Sequence, residues 1–270
     1  MTTSVDIPTV LSIAGSDPSG GAGIQADLKT FMAVGVYGAA AIAGLTAQNT
    51  RAVDAAVAVD ADFVKAQLQS VFSDIRIDTI KLGMLPGRAI CKAVAPFLAG
   101  YPVVCDPVMV ATSGGRLVDK DAVSALMDII LPEADYVTPN LYELEVLCGK
   151  PVDDIFEAGM TVLERFPNLS GIALKGGHRP DPGGTVTDTL LYRHSGTIKQ
   201  TAETSPFIDT ENTHGTGCTF SSAMAAYLAK KHDPADAFIR AVRLTHRLIV
   251  FSKDRKIGAG HGPLLHHITE

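Results

Sequence analysis

The sequence predicts an α/β fold built from βαβ units around a largely parallel sheet. Short apolar runs alternate with helical patterns along the chain, an alternation typical of strands joined by crossover helices. No repeat, low-complexity tract or linker interrupts it, and 46% hydrophobic content in 270 residues is enough to bury one large core. We therefore expect residues 1–270 to form a single domain.

Apolar runs and helical periodicity give the order of the elements. The predicted strands are Thr9–Ala14, Ala39–Thr46, Thr79–Gly83, Val103–Asp106, Tyr136–Thr138, Gly171–Lys175 and Thr187–Tyr192. The predicted helices are Ile24–Val34, Ala61–Ser73, Gly87–Leu98, Asp121–Ile130, Tyr142–Cys148, Asp154–Phe166, Thr216–Lys231 and Pro234–Phe251. The run 53–59 alternates only weakly, a pattern compatible with an edge strand.

Composition and charge exclude several classes of function. A formal charge of −6 without a long basic block argues against a nucleic-acid surface. The longest uncharged apolar stretch, 34–46, is too short to cross a bilayer and contains three glycines. Residues 1–8 carry no basic segment and do not resemble a signal peptide, so a cytoplasmic protein is expected. The four cysteines are scattered and imply neither disulfides nor structural zinc.

A glycine-rich stretch near the C-terminus is suited to hold an anion. Residues 209–219 read DTENTHGTGCT and lead directly into a helical run of small residues. Gly215 and Gly217 allow backbone N–H groups to converge on one point, and the helix adds its positive N-terminal end. Cys218 falls in the first helical turn, where the same field favours a thiolate that can act as a base. The stretch predicts phosphate transfer.

In open α/β sheets ligands bind beyond the carboxyl ends of the strands, so the residues there are candidates. The loop 15–23 contains four glycines but matches neither a Walker motif nor GxGxxG, and a plain turn explains it equally well. Gln48 has an amide that can match the edge of a heteroaromatic ring, whereas a solvated loop residue is the alternative. Met84 is suited to pack on an aromatic ligand, although methionine is more often core filler.

Charged residues follow three further strands. Asp106 can bind Mg²⁺ or orient a hydroxyl, with a turn-forming role as the alternative. Asn140 and Glu143 have the spacing of a helix cap, and Glu143 could also hold water around Mg²⁺. Lys175, followed by two glycines, is placed to bridge the phosphates of ATP, although loop lysines are usually only solvated.

Together these segments resemble the hydroxymethylpyrimidine/phosphomethylpyrimidine kinases of thiamine synthesis, members of the ribokinase-like superfamily, over nearly the whole chain. The resemblance is carried by Ala14–Asp27, Ala47–Thr50, Lys81–Leu85, Thr138–Leu141 and Asn212–Thr219. It implies a three-layer αβα sandwich with a mostly parallel central sheet.

The resemblance also implies the roles of individual residues. Those expected around the pyrimidine are Gly15, Ala22, Asp27, Gln48, Met84 and Val108. Those expected to act on the transferring group are Lys175, Gly215, Thr216, Gly217 and Cys218, with Lys175, Asn140 and Thr216 on the nucleotide. Asp106, Asn140 and Glu143 are expected around Mg²⁺ and its waters. The sugar kinases of this superfamily carry Asp at the position of Cys218, whereas the pyrimidine kinases share the Cys.

The implied activity is ATP- and Mg²⁺-dependent phosphorylation of 4-amino-5-hydroxymethyl-2-methylpyrimidine and then of its monophosphate. The hydroxyl would attack the γ-phosphorus in line, and Cys218 would receive its proton. Some relatives suggest a monovalent cation placed by Asp209, and relatives commonly form homodimers. The glycine-rich segment Gly258–Pro263 receives no role.

Two alternatives stay open. A pyridoxal kinase of the same superfamily is the nearer one, since pyridoxal also presents a hydroxymethyl group on an aromatic nitrogen ring. Gln48 favours the aminopyrimidine. A non-catalytic pyrimidine-binding regulator is the other, but it should have lost phosphate-handling residues, and Lys175, Glu143 and the anion-binding stretch are intact.

Overall fold

Nine strands form one sheet in the computed structural model, which describes residues 6–109, 119–177 and 181–267. Residues 1–5 of the N-terminal segment discussed above lie outside this set. The strands are β1 (Thr9–Ser16), β2 (Tyr37–Gln48), β3 (Val53–Ala58), β4 (Thr79–Leu82), β5 (Val103–Cys105), β6 (Tyr136–Val137), β7 (Gly171–Leu174), β8 (Thr185–His194) and β9 (Thr197–Pro206). The α-helices are α1 (Gly23–Val34), α2 (Ala61–Phe72), α3 (Arg88–Val94), α4 (Lys120–Ala125), α5 (Leu141–Cys148), α6 (Ile155–Arg165), α7 (Thr216–Ala229) and α8 (Pro234–Ser252).

The centre of the sheet is parallel and its margins are antiparallel. The strand order is β3-β2-β1-β4-β5-β6-β7-β8-β9. The neighbours from β2 to β7 in this order all pair in parallel. At the margins the pairs are antiparallel: β3 with β2, β8 with β7, and β9 with β8. The carboxyl ends of the six parallel strands therefore meet along one edge, where a ligand is expected.

Apolar side chains cover both faces of the sheet and give three layers. Along β1, Leu11 and Ile13 pack on one face, and Val10 packs on the other. This alternation follows from the period of two residues in a strand. The first face is covered by α2 to α6, and the second by α1, α7 and α8. Within the described ranges, no helix combines the length and the apolar character needed to span a bilayer.

Most predicted elements are confirmed, and the departures have local causes. Each predicted strand agrees with an observed one to within two residues at either end, and the weakly alternating run is the edge strand β3. The helix predicted to reach Leu98 leaves α-geometry after Val94, because Pro96 lacks the N–H that a helix interior needs. The helix predicted over 121–130 becomes a π-turn at 126–130.

One strand was missed entirely. β9 has the sequence TIKQTAETSP and lies at the outer margin of the sheet, where most of its residues keep some exposure. An edge strand needs little apolar surface, so its hydrophobic alternation is weak. It is held instead by a long antiparallel ladder with β8, from Thr185↔Pro206 to His194↔Thr197.

Replacing Phe238 by alanine tests the packing that holds α7 and α8 together. Phe238 is fully buried on α8, and its ring meets Phe220 of α7 edge-on at 5.9 Å between centroids. The substitution should lower the free energy of unfolding by about 3–5 kcal/mol, measured by urea denaturation. Met32→Ala is the matched control, because Met32 is 82% exposed. A loss as small as in the control would show that this core can collapse around the cavity.

Candidate active site

The carboxyl ends of the parallel strands open into one cavity of about 870 Å³. Except for Asp27, every residue expected around the pyrimidine, the nucleotide, the transferring group or Mg²⁺ lines it. Those that do are Gly15, Ala22, Gln48, Met84, Asp106, Val108, Asn140, Glu143, Lys175, Gly215, Thr216, Gly217 and Cys218. The expected convergence of loops after different strands is therefore present in the structure, although convergence does not itself assign roles.

The leading end of α7 forms one wall of the cavity. Gly215 is the N-cap and has a φ of 82°, a left-handed conformation that favours glycine. A Cβ at this position would overlap the carbonyl oxygen of Gly21, so the two glycine-rich loops lie in direct backbone contact. The N–H groups of a first helical turn lack partners within the helix, and this turn faces the cavity. The arrangement can bind an anion.

The surroundings of Cys218 oppose the thiolate that the helix field alone would favour. Desolvation raises the pKa of the thiol to about 12, although Cys218 lines the cavity and is only partly buried. Lys81 lowers this pKa, whereas Asp27 and Asp106 raise it further. Desolvation and the two carboxylates therefore outweigh the lysine and disfavour the ionised form that a general base would need.

Asp106 and Lys175 form the charged centre of the cavity. The carboxylate of Asp106 accepts hydrogen bonds from Thr138 Oγ1 at 3.1 Å and from Ser221 Oγ at 3.3 Å. Lys175 Nζ lies 3.6 Å from Asp106 Oδ1, and the lysine side chain keeps 17% of its exposure. Since Ser221 belongs to α7, this carboxylate also ties the helix to the end of β5. The ammonium remains accessible to a second anion.

Asn140 and Glu143 form a capping box at the start of α5. Glu143 N donates to Asn140 Oδ1 at 2.9 Å, and Asn140 N donates to Glu143 Oε2 at 2.9 Å. The predicted helix cap is thus confirmed. Glu143 is also buried, and burial raises its pKa to about 7, with Lys175 lowering this pKa and Asp106 raising it.

These residues fit Mg²⁺ only through water or together with nucleotide phosphates. Within the described ranges, no group of three or more His, Cys, Asp or Glu side chains is arranged to hold a metal ion. The Asp106 oxygens already accept protein hydrogen bonds, and the Asn140 oxygen is used by the cap. However, the mutual repulsion of Glu143 and Asp106 would be relieved by a cation. Mg²⁺ keeps several waters and often binds through one or two carboxylates plus phosphates, which suits this donor set.

A buried pair of Asp17 and His214, without assigned roles in the sequence, also lines the cavity, directly before the N-cap of α7. His214 Nε2 lies 2.8 Å from Asp17 Oδ2. Burial raises the pKa of Asp17, but hydrogen bonds from His214 and Ser19 outweigh it and leave the pKa below its ordinary value. The ionised carboxylate can only accept, so this contact places a proton on Nε2. The Gln48 amide nitrogen, 3.4 Å from the same Nε2, then has no acceptor there and can donate to a ligand ring.

Asp27 does not occupy the position expected of a ring contact. Its side chain is completely buried behind the cavity wall. The carboxylate accepts hydrogen bonds from Lys81 at 2.9 Å, Ser12 at 2.6 Å and Ser222 at 2.7 Å. These donors occupy both oxygens. Sequence proximity to the glycine-rich loop does not reveal this, because Asp27 lies on the face of α1 that turns into the interior.

The side of the cavity formed by β8, β9 and α8 was also missed. Its lining includes Val186, Asp188, Phe207, Thr245 and His246. Asp188 Oδ1 accepts a hydrogen bond at 2.8 Å from the N–H of the glycine after Lys175, and burial raises the pKa of Asp188. This bond fixes the loop that carries Lys175. Sequence reasoning did not find this wall, because β8 runs antiparallel to β7 and brings its first residues to the cavity, while Phe207 follows the unrecognised strand β9.

Replacing Gly215 by alanine tests the close contact of the two loops. The new Cβ would meet the Gly21 carbonyl, and φ of 82° is strained for alanine. The first turn of α7 should move, and kcat of the phosphate transfer expected from the sequence should fall about 100-fold, as when aligned anion donors are lost. Gly183→Ala is the control, since nothing lies within 4 Å of its added Cβ. Equal kcat in both variants would contradict the proposed anion site.

Comparison with known proteins places the chain in a family. Residues 17–265 match the sequence profile of phosphomethylpyrimidine kinase. The hydroxymethylpyrimidine/phosphomethylpyrimidine kinase of Escherichia coli is 43% identical over 95% of this chain and 96% of its own length. A thiamine biosynthesis multifunctional protein of Corynebacterium efficiens is 40% identical over 96% of this chain, which spans 35% of that relative.

Solved structures confirm the expected ribokinase-like αβα fold. The pyridoxal kinase of Staphylococcus aureus, in complex with AMP-PCP and pyridoxal, superposes with a TM-score of 0.82 at 30% identity, covering 97% of this chain and 94% of that one. Profile, sequence relatives and fold agree, and the chain belongs to the phosphomethylpyrimidine kinase family.

Proposed function

We propose that this chain phosphorylates 4-amino-5-hydroxymethyl-2-methylpyrimidine with ATP, and then phosphorylates the resulting monophosphate to the diphosphate used in thiamine synthesis. The observation that carries the proposal is a single cavity lined both by groups that can bind an anion and by groups that can bind a heteroaromatic ring. The leading turn of α7 and Lys175 can bind the anion, and Gln48 and Met84 can bind the ring. Relatives that this chain matches over nearly its whole length are named for both phosphorylation steps.

The ring site would hold the pyrimidine through its edge and its face. The side-chain amide of Gln48 both donates and accepts, so it can pair with a ring nitrogen and the neighbouring amino group. Met84 is buried beneath Gly15, where its flexible thioether can pack on the ring. Asp17 holds His214 beside Gln48 and so limits the orientations that the amide can adopt.

The phosphate site would stabilise the charge that spreads over the transferring group. Backbone N–H groups at Gly215–Cys218 and the ammonium of Lys175 are fixed before the reaction, which is the arrangement that stabilises a developing anion. Mg²⁺, when bound with ATP near Asp106 and Glu143, supplies further neutralisation of the phosphates. Asp188 keeps the Lys175 loop in place through the N–H of Gly176.

The raised pKa of the Cys218 thiol favours a positioning role over a basic one. Phosphoryl transfer passes through a loose transition state, so little proton removal is needed before the bond to phosphorus forms. The thiol can orient the attacking hydroxyl as a weak hydrogen-bond partner. The hydroxyl proton can then leave late, to an oxygen of the transferred phosphoryl group.

Pyridoxal is the second candidate substrate, favoured by the structural likeness to a pyridoxal kinase. Both substrates present a hydroxymethyl group on an aromatic nitrogen ring. They differ at the ring edge, where only the pyrimidine carries an amino group beside a ring nitrogen. The Gln48 amide matches that edge, and for this reason we place the pyrimidine first.

Cys218→Ala and Cys218→Asp separate positioning from proton transfer. We expect Cys218→Ala to lower kcat by about 10-fold, less than the roughly 100- to 10,000-fold that a general acid–base group contributes, because the thiol orients the hydroxyl without taking its proton. Cys218→Asp should keep part of the activity, because a carboxylate restores an acceptor at the same point. Steady-state kinetics with saturating ATP measure both. Wild-type turnover in Cys218→Ala would remove Cys218 from the mechanism.

Product analysis tests the two-step assignment. Purified protein is incubated with ATP, Mg²⁺ and the hydroxymethylpyrimidine, and phosphorus NMR follows the monophosphate and diphosphate. We expect the monophosphate to appear first and the diphosphate to replace it. Pyridoxal in a parallel incubation should react more slowly than the pyrimidine. Gln48→Ala should reduce this difference in reaction rate between the two substrates. Monophosphate as the sole final product would refute the second step.

A further inference from the structure

A fully buried ion pair lies beneath the cavity. Lys81 Nζ is 2.9 Å from both carboxylate oxygens of Asp27, and neither side chain has measurable exposure. Ser12 and Ser222 donate to the same carboxylate, which therefore accepts bonds from three side chains. A buried charge is strongly unfavourable unless it is paired and hydrogen-bonded, and Asp27 meets both conditions.

The pair is connected to the functional end of α7. Ser222 donates to Asp27 Oδ1 at 2.7 Å and lies four residues after Cys218, on the same side of the helix. One residue earlier, Ser221 Oγ lies 3.3 Å from Asp106 Oδ2 and 2.9 Å from Gly217 O, and these two acceptors share its single proton. Two carboxylates, one on α1 and one after β5, thus contact adjacent residues of α7.

Lys81 has bonding capacity that Asp27 does not use. An ammonium has three donors, and the recorded bonds of Lys81 go only to the two Asp27 oxygens among the residues that the structure describes. Its Nζ would lie 3.0 Å from a Cβ at Gly83, whose backbone lines the cavity. A side chain at residue 83 would therefore press on the ammonium. The charge lies directly under the cavity floor.

The charges that act on the Cys218 thiol come from three elements. Lys81 on β4 favours the thiolate, whereas Asp27 on α1 and Asp106 after β5 oppose it. Removing either member of the buried pair alone should therefore shift the pKa of the Cys218 thiol in a direction set by the charge that remains. When both members are removed, the two pKa shifts should nearly cancel.

We propose that Lys81 is a positioning residue for phosphoryl transfer, held by Asp27 under the cavity floor, where the pair orients the leading end of α7 and supplies the positive charge beside Cys218. The expected effect on turnover rests on the proposed kinase function, whereas the expected effects on Cys218 reactivity and on folding do not. The positioning proposal and the proposed function can therefore fail separately.

Alkylation of Cys218 in the full-length chain measures the charge coupling without turnover. Rates with iodoacetamide are followed at pH 9 by peptide mass spectrometry, so that the other cysteines do not interfere. Lys81→Met should slow alkylation of Cys218 about tenfold, the change in thiolate fraction for one pKa unit. Asp27→Asn should accelerate it by a similar factor, and Asp27→Asn/Lys81→Met should return close to wild type. Arg76→Gln, which removes an exposed ion pair, is the charge control and should have no effect.

Alkylation of Cys218 that is slower in Lys81→Met and faster in Asp27→Asn supports the proposal. A merely structural role would loosen the site in both variants and accelerate alkylation in both, and that result would overturn it, as would no change in either. The kcat of Lys81→Met should fall at least tenfold with a smaller change in KM for the pyrimidine. Wild-type kcat in Lys81→Met would also overturn the proposal, whereas absence of kinase activity in the wild-type protein would reject the proposed function and leave the alkylation result standing.

Two further variants cover the case in which the single variants do not fold. The double variant removes both charges and should fold, with near wild-type alkylation but kcat reduced at least tenfold. Ser222→Ala leaves the charges in place and should lower kcat a few-fold without altering the pH dependence of alkylation. Wild-type kcat in both of these variants would overturn the proposal.

Discussion

The first turn of α7 has to lie directly against the carboxyl ends of the central strands, and the whole site depends on this contact. Alanine, serine and glycine make up much of the helix and allow it to contact β1, β4 and β5 closely. At its leading end even a Cβ on Gly215 would collide with the Gly21 carbonyl. The backbone N–H groups consequently reach the cavity without intervening side chains. These backbone N–H groups can bind an anion without help from a side chain.

Two lysine–carboxylate pairs lie around that turn and differ in the distance between their charged groups and in their exposure. Lys81 and Asp27 are 2.9 Å apart and fully buried, with serine hydroxyls completing the carboxylate. Lys175 and Asp106 are 3.6 Å apart, and the lysine keeps some exposure. A saturated buried pair is fixed in place, whereas a longer, accessible one can exchange its partner for a phosphate. The inner pair therefore provides structure, and the outer pair is suited to ligand binding.

The sequence could predict the elements and the loops after them, because period and turn residues are local signals. It placed Gln48, Asp106 and Lys175 after strands, and these residues do line the cavity. It could not predict how deeply each side chain is buried. Asp27 follows the glycine-rich loop as a ring contact would, but the rotation of α1 turns it inward, away from the cavity. The surroundings of Cys218 could not be predicted for the same reason, since desolvation and the Asp27 and Asp106 charges depend on tertiary packing. The wall formed by β8, β9 and α8 was missed because antiparallel β8 reaches the cavity with its first residues, and because the edge strand β9 has little apolar pattern.

The neutral thiol has a physical advantage at this position. Asp27 and Asp106 already place two negative charges near the leading end of α7, and Glu143 is a third acidic group whose pKa is raised to about 7. A further carboxylate at residue 218 would raise the repulsion felt by the incoming phosphates, and Lys81 is already engaged by Asp27. A thiol occupies the same place without adding charge. Since a loose transition state demands little early proton removal, this enzyme can give up basicity at residue 218 and keep a site in which positive charge and backbone donors dominate.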